Sequence, residues 1–464
     1  MATIVGNPDQ TFNDLGLPDS QKFEINSILL FVGDSSSIEL KTPGTFEELV
    51  VNEDIFSPAA TGYILITDTL GLIENINING FCKLAVKFSK AGSNDPNAFS
   101  RIFRIYKIGE RFQISRAKEK YAMYFCSEEL IMSEQMKVAK SYPNTQIHQI
   151  MYDVLFNRMK TPLTKVGTFE DTLGYYCFII PNLKPFEAFS WLSTYAQPTS
   201  QSSVGADMLF YENRNGFNFR SLQSIMKTPV YNTYNYSPKN IGASTRTNIS
   251  GIIAYKFVNT FDSLRMIGAG GYANKLISLD PILRQVITTP FNYNNYKGNK
   301  LNNFGTLSSS QNRLGKNAGE MSDSVVKVAT GNKNQLNSLS IANVPNGQST
   351  VVQDIGIEKY VPNRTAQLAL INQIKIQFSV PGDPGLSIGR VITLNIPSYA
   401  YNGNPNSSNL DKYFTGNYLV SAVKHVMNKE GIYQCMVEAI SDSTSTQQVS
   451  GSINDSLSQY LNNQ

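Results

Sequence analysis

The stretch that most constrains the fold lies between residues 369 and 442. Ile374, Ile376, Phe378 and Val380 alternate with polar residues, the period of two expected of a strand with one buried face. Pro381, Gly382, Asp383, Pro384 and Gly385 then force a turn, because proline fixes φ and glycine reaches φ > 0. Residues 390–396 form a second expected strand, and 418–427 and 432–440 a third and fourth. Asn428, Lys429, Glu430 and Gly431 make a hairpin-length connection between the last two. Four short strands separated by turn chemistry read as a small antiparallel β-barrel.

A chain of 464 residues exceeds one ordinary core, so further domains are expected. Residues 1–21 are polar and read as an N-terminal arm. From there the strand pattern repeats at 25–32, 38–40, 46–54, 62–68, 81–88, 100–108, 112–114 and 121–127. This predicts a first β-barrel over about 22–127, with helix signals nearly absent. Residues 128–367 form a middle α+β domain. In it Asn144 or Thr145 is placed to cap a helix that buries Ile147, Ile150, Met151, Val154 and Leu155. Pro185 suits the first turn of another helix, with Phe186, Phe189, Leu192 and Tyr195 or Ala196 inward. Asn215-Gly216 marks a hairpin turn. A strand at 251–258 and a short helix at 260–267 follow, and part of 228–260 is a candidate to complete the second barrel at 368–442. Residues 292–346, rich in Asn, Ser, Gly and Lys, read as a long surface insertion with local disorder. In the tail, 443–464, Ile453, Leu457, Tyr460 and Leu461 recur at helical spacing. They are a candidate partner contact, the alternative being a frayed terminus. The expected class is therefore α+β, mainly β.

Little in the chain points to catalysis. The two histidines, His148 and His425, are expected at a helix boundary and in a structural hydrogen bond. Cys82, Cys126, Cys177 and Cys435 are far apart, form no CxxC pair and read as buried thiols rather than zinc ligands. The adjacent carboxylates Glu47-Glu48 and Glu128-Glu129 point to opposite faces if they lie on strands, which argues against a glycosidase pair. The glycines of Gly268–Gly271 fit neither a dinucleotide fingerprint nor a phosphate loop. No metal and no cofactor is expected. A net charge of +4 spread over the chain does not argue for nucleic acid. No apolar run reaches the roughly 20 residues a membrane helix needs, and no secretory signal pattern is seen. Assembly in a bacterial cytoplasm is the expectation.

The segments resemble, in order, those of central hub subunits in the baseplates of contractile-tailed phages. In the middle the resemblance rests on Phe210, Tyr211, Glu212, Asn213, Gly216, Phe217, Phe219 and Arg220, with Ser127, Glu129, Ser141 and Tyr142 upstream. In the last strands it rests on Pro381, Gly382, Gly389, Gly416, Tyr418, His425 and Tyr433. The resemblance implies two tail-tube-like barrels flanking the middle domain, and a structural virion protein rather than an enzyme. It also implies a homotrimer that joins a hexameric tail tube to a trimeric spike and meets other baseplate proteins. Two other classes stand beside it: the hub-like part of a type VI secretion or other contractile injection spike, and a tail-associated cell-wall hydrolase.

Overall fold

Strand formation follows the two-residue period closely enough that the main β-segments lie where the sequence places them. A computed structural model describes the chain apart from residues 1–22, 33–35, 42–44, 77, 79–81, 91–97, 200–206, 237–249, 281–283, 297, 308–311, 322–324, 331–356, 399–409 and 447–464. The proposed tail contacts Ile453, Leu457, Tyr460 and Leu461 lie outside the described residues. The N-terminal segment carries β1 (Phe23–Val32), β2 (Ser36–Glu39), β3 (Phe46–Asp54), β4 (Thr61–Asp68), β5 (Lys83–Lys90), β6 (Phe99–Ser115) and β7 (Lys118–Cys126). One short helix, α1 (Leu72–Ile76), interrupts them. The two expected strands at 100–108 and 112–114 are one long strand, β6, with irregular pairing near Glu110.

The middle segment comprises α2 (Glu128–Gln135), β8 (Val138–Thr145), α3 (Ile147–Tyr152), β9 (Val166–Phe169), β10 (Tyr176–Leu183) and α4 (Pro185–Ser193). It continues with β11 (Met208–Asn213), β12 (Gly216–Ser221) and α5 (Leu222–Met226). Ile147, Ile150, Met151, Val154 and Leu155 are buried with Phe186, Phe189 and Leu192 in its core. Gln146, not Asn144 or Thr145, precedes the first helical turn, because those two residues end β8. In the hairpin the loop residues are Arg214 and Asn215, and Gly216 opens β12 with φ of 118°. A Cβ at Gly216 would lie 2.1 Å from the Lys165 carbonyl oxygen, so the close approach of two backbones demands glycine there. Cys177 is exposed, against expectation, because among the described residues β10 pairs only with β8 and turns alternate side chains to solvent.

Next come β13 (Val230–Asn235), β14 (Ala254–Asn259), α6 (Ser263–Gly268), β15 (Ala273–Asp280), β16 (Gln285–Asn292), β17 (Phe304–Gly305), β18 (Val326–Thr330) and α7 (Ile357–Leu370). No sequence signal announces α7, which contains Pro362 and packs Ala366 and Leu370 against Met266, Tyr272 and Phe291. Nor is the polar insertion a free loop where it is described. Leu301 enters the large core, and β17 pairs with β23 (Ser443–Thr444). A few backbone and amide bonds pin it there, which composition alone does not reveal.

The last strands, β19 (Ile374–Pro381), β20 (Val391–Asn395), β21 (Gly416–Asn428) and β22 (Tyr433–Ser441), complete the architecture. The N-terminal strands run in the order β3-β4-β7-β6-β5-β1-β2, and the C-terminal set in the order β14-β19-β22-β21-β20-β13. Six positions therefore correspond, with the closing hairpins β6–β7 and β21–β22 at the same place. The irregularities correspond too. β6 slips against β7 between Ile105 and Lys107, and β21 slips against β22 between Val420 and Ala422. Just before each slip, Ile105 N–H donates to Cys82 O and Val420 N–H to Arg390 O, both at 2.9 Å. The sixth strand differs: β1 runs antiparallel to β5, whereas β13 runs parallel to β20.

Two separate closed barrels are expected from the sequence. Among the described residues no ladder closes the first set, and only the Asn235–Gly251 bridge approaches closure of the second. Instead β3 pairs antiparallel with β21, from Glu48↔Asn428 to Asp54↔Ala422, and the two sets become one thirteen-stranded sheet over a shared core. The alternation within a strand tells which face is buried but not which edge pairs, so this joint was invisible in the sequence.

Candidate functional site

Most of the residues singled out above lie on the β11–β12 hairpin or around the β3–β21 joint beside it. Successive residues of β11 face opposite ways, as strand geometry requires. Phe210 faces the middle core, its ring 4.7 Å from that of Phe189 and stacked on Phe217 at 5.7 Å. Tyr211 is buried in the large core, against Gly389, where an added Cβ would lie 2.8 Å from the Tyr211 hydroxyl. Glu212 is fully buried and accepts from Ala60 N–H at 2.9 Å, from Ser127 Oγ and from the Arg101 guanidinium. Arg101 also donates to the Asn213 carbonyl. One carboxylate thus ties the middle segment to β6, to the turn before β4 and to the entry of α2.

A second buried carboxylate ties the two ends of the chain. Glu53, on β3, accepts from Ser387 Oγ and from Ile388 N–H at 3.3 Å. Burial raises its pKa, while the Ser387 bond and the positive charge of Arg101 oppose the rise. Arg214, from the hairpin loop, donates to Pro384 O at 2.7 Å, and Tyr231 donates to Asp383 at 2.7 Å. These bonds hold the turn after Pro381, and Gly382 N–H donates to Tyr433 O at 2.8 Å. The ring of Tyr433 fills the space where any side chain on residue 382 would stand, with a Cβ at 2.0 Å. His425, buried on β21, lies 2.8 Å from Tyr433 Oη and 3.4 Å from Cys435 Sγ. Burial pushes its pKa down to about 4 and that of Cys435 up to about 12, so both are uncharged near neutral pH. The thiol and imidazole are enclosed in the core and have no open face for a substrate.

Gly416 and Tyr418 sit apart from this cluster, at the other end of β21. There Asn302 accepts from Asn417 N–H at 2.7 Å and donates to Asn417 O at 3.0 Å, and Tyr418 donates to Phe414 O at 2.8 Å. The remaining candidates are engaged in local pairing. Glu128 pairs with Arg104, Glu129 with Lys165 at 2.8 Å and Glu47 with Lys429 at 2.8 Å, while Glu48 accepts from Tyr63. His148 accepts from Thr172 N–H at 3.0 Å. No group of three or more His, Cys, Asp or Glu side chains disposed to hold a metal occurs among the described residues. Arg101, Glu53, Ser387 and Arg214 were not foreseen. Arg101 and Glu53 are charged residues amid β-forming runs, whereas Arg214 and Ser387 lie in loops that carry no such signal.

The backbone path has known counterparts. A tail protein from Neisseria meningitidis MC58 aligns over 91% of this chain and 97% of its own, at 9% identity and a TM-score of 0.51. The 43 kDa tail protein of prophage MuSo2 from Shewanella oneidensis aligns over 90% and 98%, at 7% identity and a TM-score of 0.50. The chain has the fold of phage tail proteins. An E. coli component of the type VI secretion system aligns over 93% of this chain and 79% of its own, at 10% identity and a TM-score of 0.41. No protein-family model matches the chain, and no curated protein matches it.

Two outcomes are expected of the junction. Glu212→Ala leaves Arg101 buried and unpaired, and should lower the unfolding free energy by about 3–5 kcal/mol in denaturant titration. The double change Arg101→Met with Glu212→Leu should cost less than Glu212→Ala alone. A loss below about 1 kcal/mol for the single variant would mean the carboxylate does not hold the segments together.

The acid response should contain two opposed parts. His425 titrates near 4 when folded and 6.5 when free, so its contribution is present above pH 6.5 and is lost as pH falls toward 4. Asp207 is buried behind the hairpin and accepts from Gln223 N–H at 3.1 Å; burial raises its pKa from 3.8 to about 7. It therefore favours the fold below pH 3.8, and that contribution is lost as pH rises toward 7. Stability measured from pH 4 to 7 should fall more steeply on acidification in Asp207→Asn and less steeply in His425→Gln than in the parent. Parallel curves for all three would contradict the assignment.

Proposed function

We propose that the chain is the central hub subunit of a phage tail baseplate. Three copies form a ring with approximate sixfold repetition, which joins the hexameric tail tube above to the trimeric spike below and lines the channel for DNA ejection. The subunit acts as structure and carries no catalysis of its own. Its place is the virion tail.

The observation that carries this reading is the duplicated strand order. A ring demands that matching surfaces recur at fixed rotations. A subunit with two equivalent strand sets presents six of them from three copies, while its unique middle segment still follows threefold symmetry. The β3–β21 ladder and the buried Glu53 fix the two sets relative to each other, so their mutual angle is built into the subunit. The middle segment, with Phe186, Phe189 and Phe217 in a core of its own, is then a brace outside the ring that contacts neighbouring baseplate proteins.

Sedimentation or light-scattering mass measurement of the purified chain should give a trimer, and negative-stain images should show rings with a central opening. A monomer or dimer at every concentration, including in the assembled tail, would refute the reading.

A further inference from the structure

The correspondence of the two strand sets reaches to single residues, and it leaves two strand edges unmatched. Within the chain, β21 pairs with β20 over its first residues, slips at Ser421, and then pairs with β3 along the edge that β20 has vacated. Its counterpart β6 does the same at first: it pairs with β5 from Phe99 to Arg104 and slips at Tyr106. Beyond that point, β6 has β7 on one side and no ladder on the other among the described residues. The counterpart of β3 is β14, which among the described residues ladders only with β19, so there it too has an open edge.

Open edges of this length are hazards unless something covers them. On β6 the open stretch exposes Tyr106, Phe112 and Ile114 at 49–53% of their surface, and on β14 Val258 is 49% exposed. A side chain of that kind at a free edge suits a strand partner better than water. The position-by-position equivalence of the two strand sets also names the partner. Since β21 takes β3, β6 should take β14.

Both edges belong to one chain but lie on opposite flanks of the thirteen-stranded sheet, with β14 at its end and β6 on the far side of the β3–β21 joint. We infer that the open edge of β6 in one copy pairs antiparallel with β14 of the next copy, repeating between subunits the β3–β21 joint found within each. This rests on the ring reading above and specifies its interface. Alternating internal and external joints of one geometry form a head-to-tail contact, which closes into a ring when the rotation per step divides the circle.

The internal register fixes the external one. In the internal joint Val426 faces Val50, and Val426 also faces Gln434 on β22. The residue at that position of β6 is Phe112, which faces Lys120 on β7; the residue matching Val50 is Lys256. Phe112 of one copy should therefore lie opposite Lys256 of the next. Facing residues in an antiparallel ladder have Cα atoms about 4.5–5.5 Å apart, within the range a disulfide spans. Both side chains are exposed in the single chain, so cysteines there leave its core intact.

The test uses the full chain in a Cys177→Ser background, which removes the exposed native thiol. Phe112→Cys with Lys256→Cys should give, on mild oxidation, covalent dimers and trimers on a non-reducing gel that collapse on reduction. An equimolar mixture of the two single variants should stop at covalent dimers. Phe112→Cys with Leu264→Cys, a more exposed but unpaired position, should stay uncrosslinked. If the parent is trimeric by mass and the first pair does not crosslink above the Leu264 control, this interface is wrong while the ring reading stands. If the parent is monomeric, both fall.

Discussion

The antiparallel ladder between β3 and β21 is the contact on which the rest of the architecture depends. Residues 48–54 and 422–428 are separated by most of the chain, yet their backbones share one run of hydrogen bonds. Loop-closure entropy rises only slowly with length, so distance in sequence is a modest obstacle once both strands have a buried face. Here that face is supplied by Leu49 and Val51 on one strand and Val423 and Met427 on the other, all in a single core. Burial of such side chains contributes about 1.5–3 kcal/mol each, and hydrogen bonds that would be lost from an open edge are satisfied at the same time. The consequence is that the two strand sets are not beads on a string. They share one hydrophobic interior and one orientation.

Around this apolar joint the buried charges act as locators. Removing a carboxylate from water is costly, and the cost is offset only where several donors converge in good geometry. Glu212 meets three donors from three different places in the first strand set, and Glu53 meets two from the loop after β19. Sliding any of these elements by one residue would leave a charge without partners. Apolar packing alone tolerates such slips far better, so the carboxylates contribute to register and angle more than to net stability. The proposed ring, in which each copy presents two surfaces at a set rotation, calls for that kind of constraint.

The legible part of the sequence was the part written in local periodicity. Alternating Ile374, Ile376, Phe378 and Val380, the Asn215-Gly216 signal and Pro185 at a helix start each act within a few residues, and the corresponding elements formed. What depended on distant partners was not legible. Nothing near Glu48–Asp54 announces a partner near Asn428, and nothing in the polar run around Leu301 and Asn302 reveals that Leu301 docks on Asp442 and Asn302 on Asn417 and Ser443. The site residues followed the same division. Phe210, Glu212, Gly382 and His425 were recognisable from their runs, whereas Arg101, Ser387 and Arg214 gained their roles only when the fold brought them to those runs.

If the two strand sets are one mechanical unit, their shared ladder should open only when the whole sheet unfolds. Native-state hydrogen exchange of the β3 and β21 backbone amides tests this most directly. The amides of Leu49, Val51, Val423 and His425, which bond across the joint, should exchange with the same free energy as those of Ile64 on β4 and Val437 on β22, and with the denaturant dependence of global unfolding. Exchange of the β3 and β21 amides through a smaller opening, with β4 and β22 still protected, would show two independent domains that merely touch, and would contradict the account.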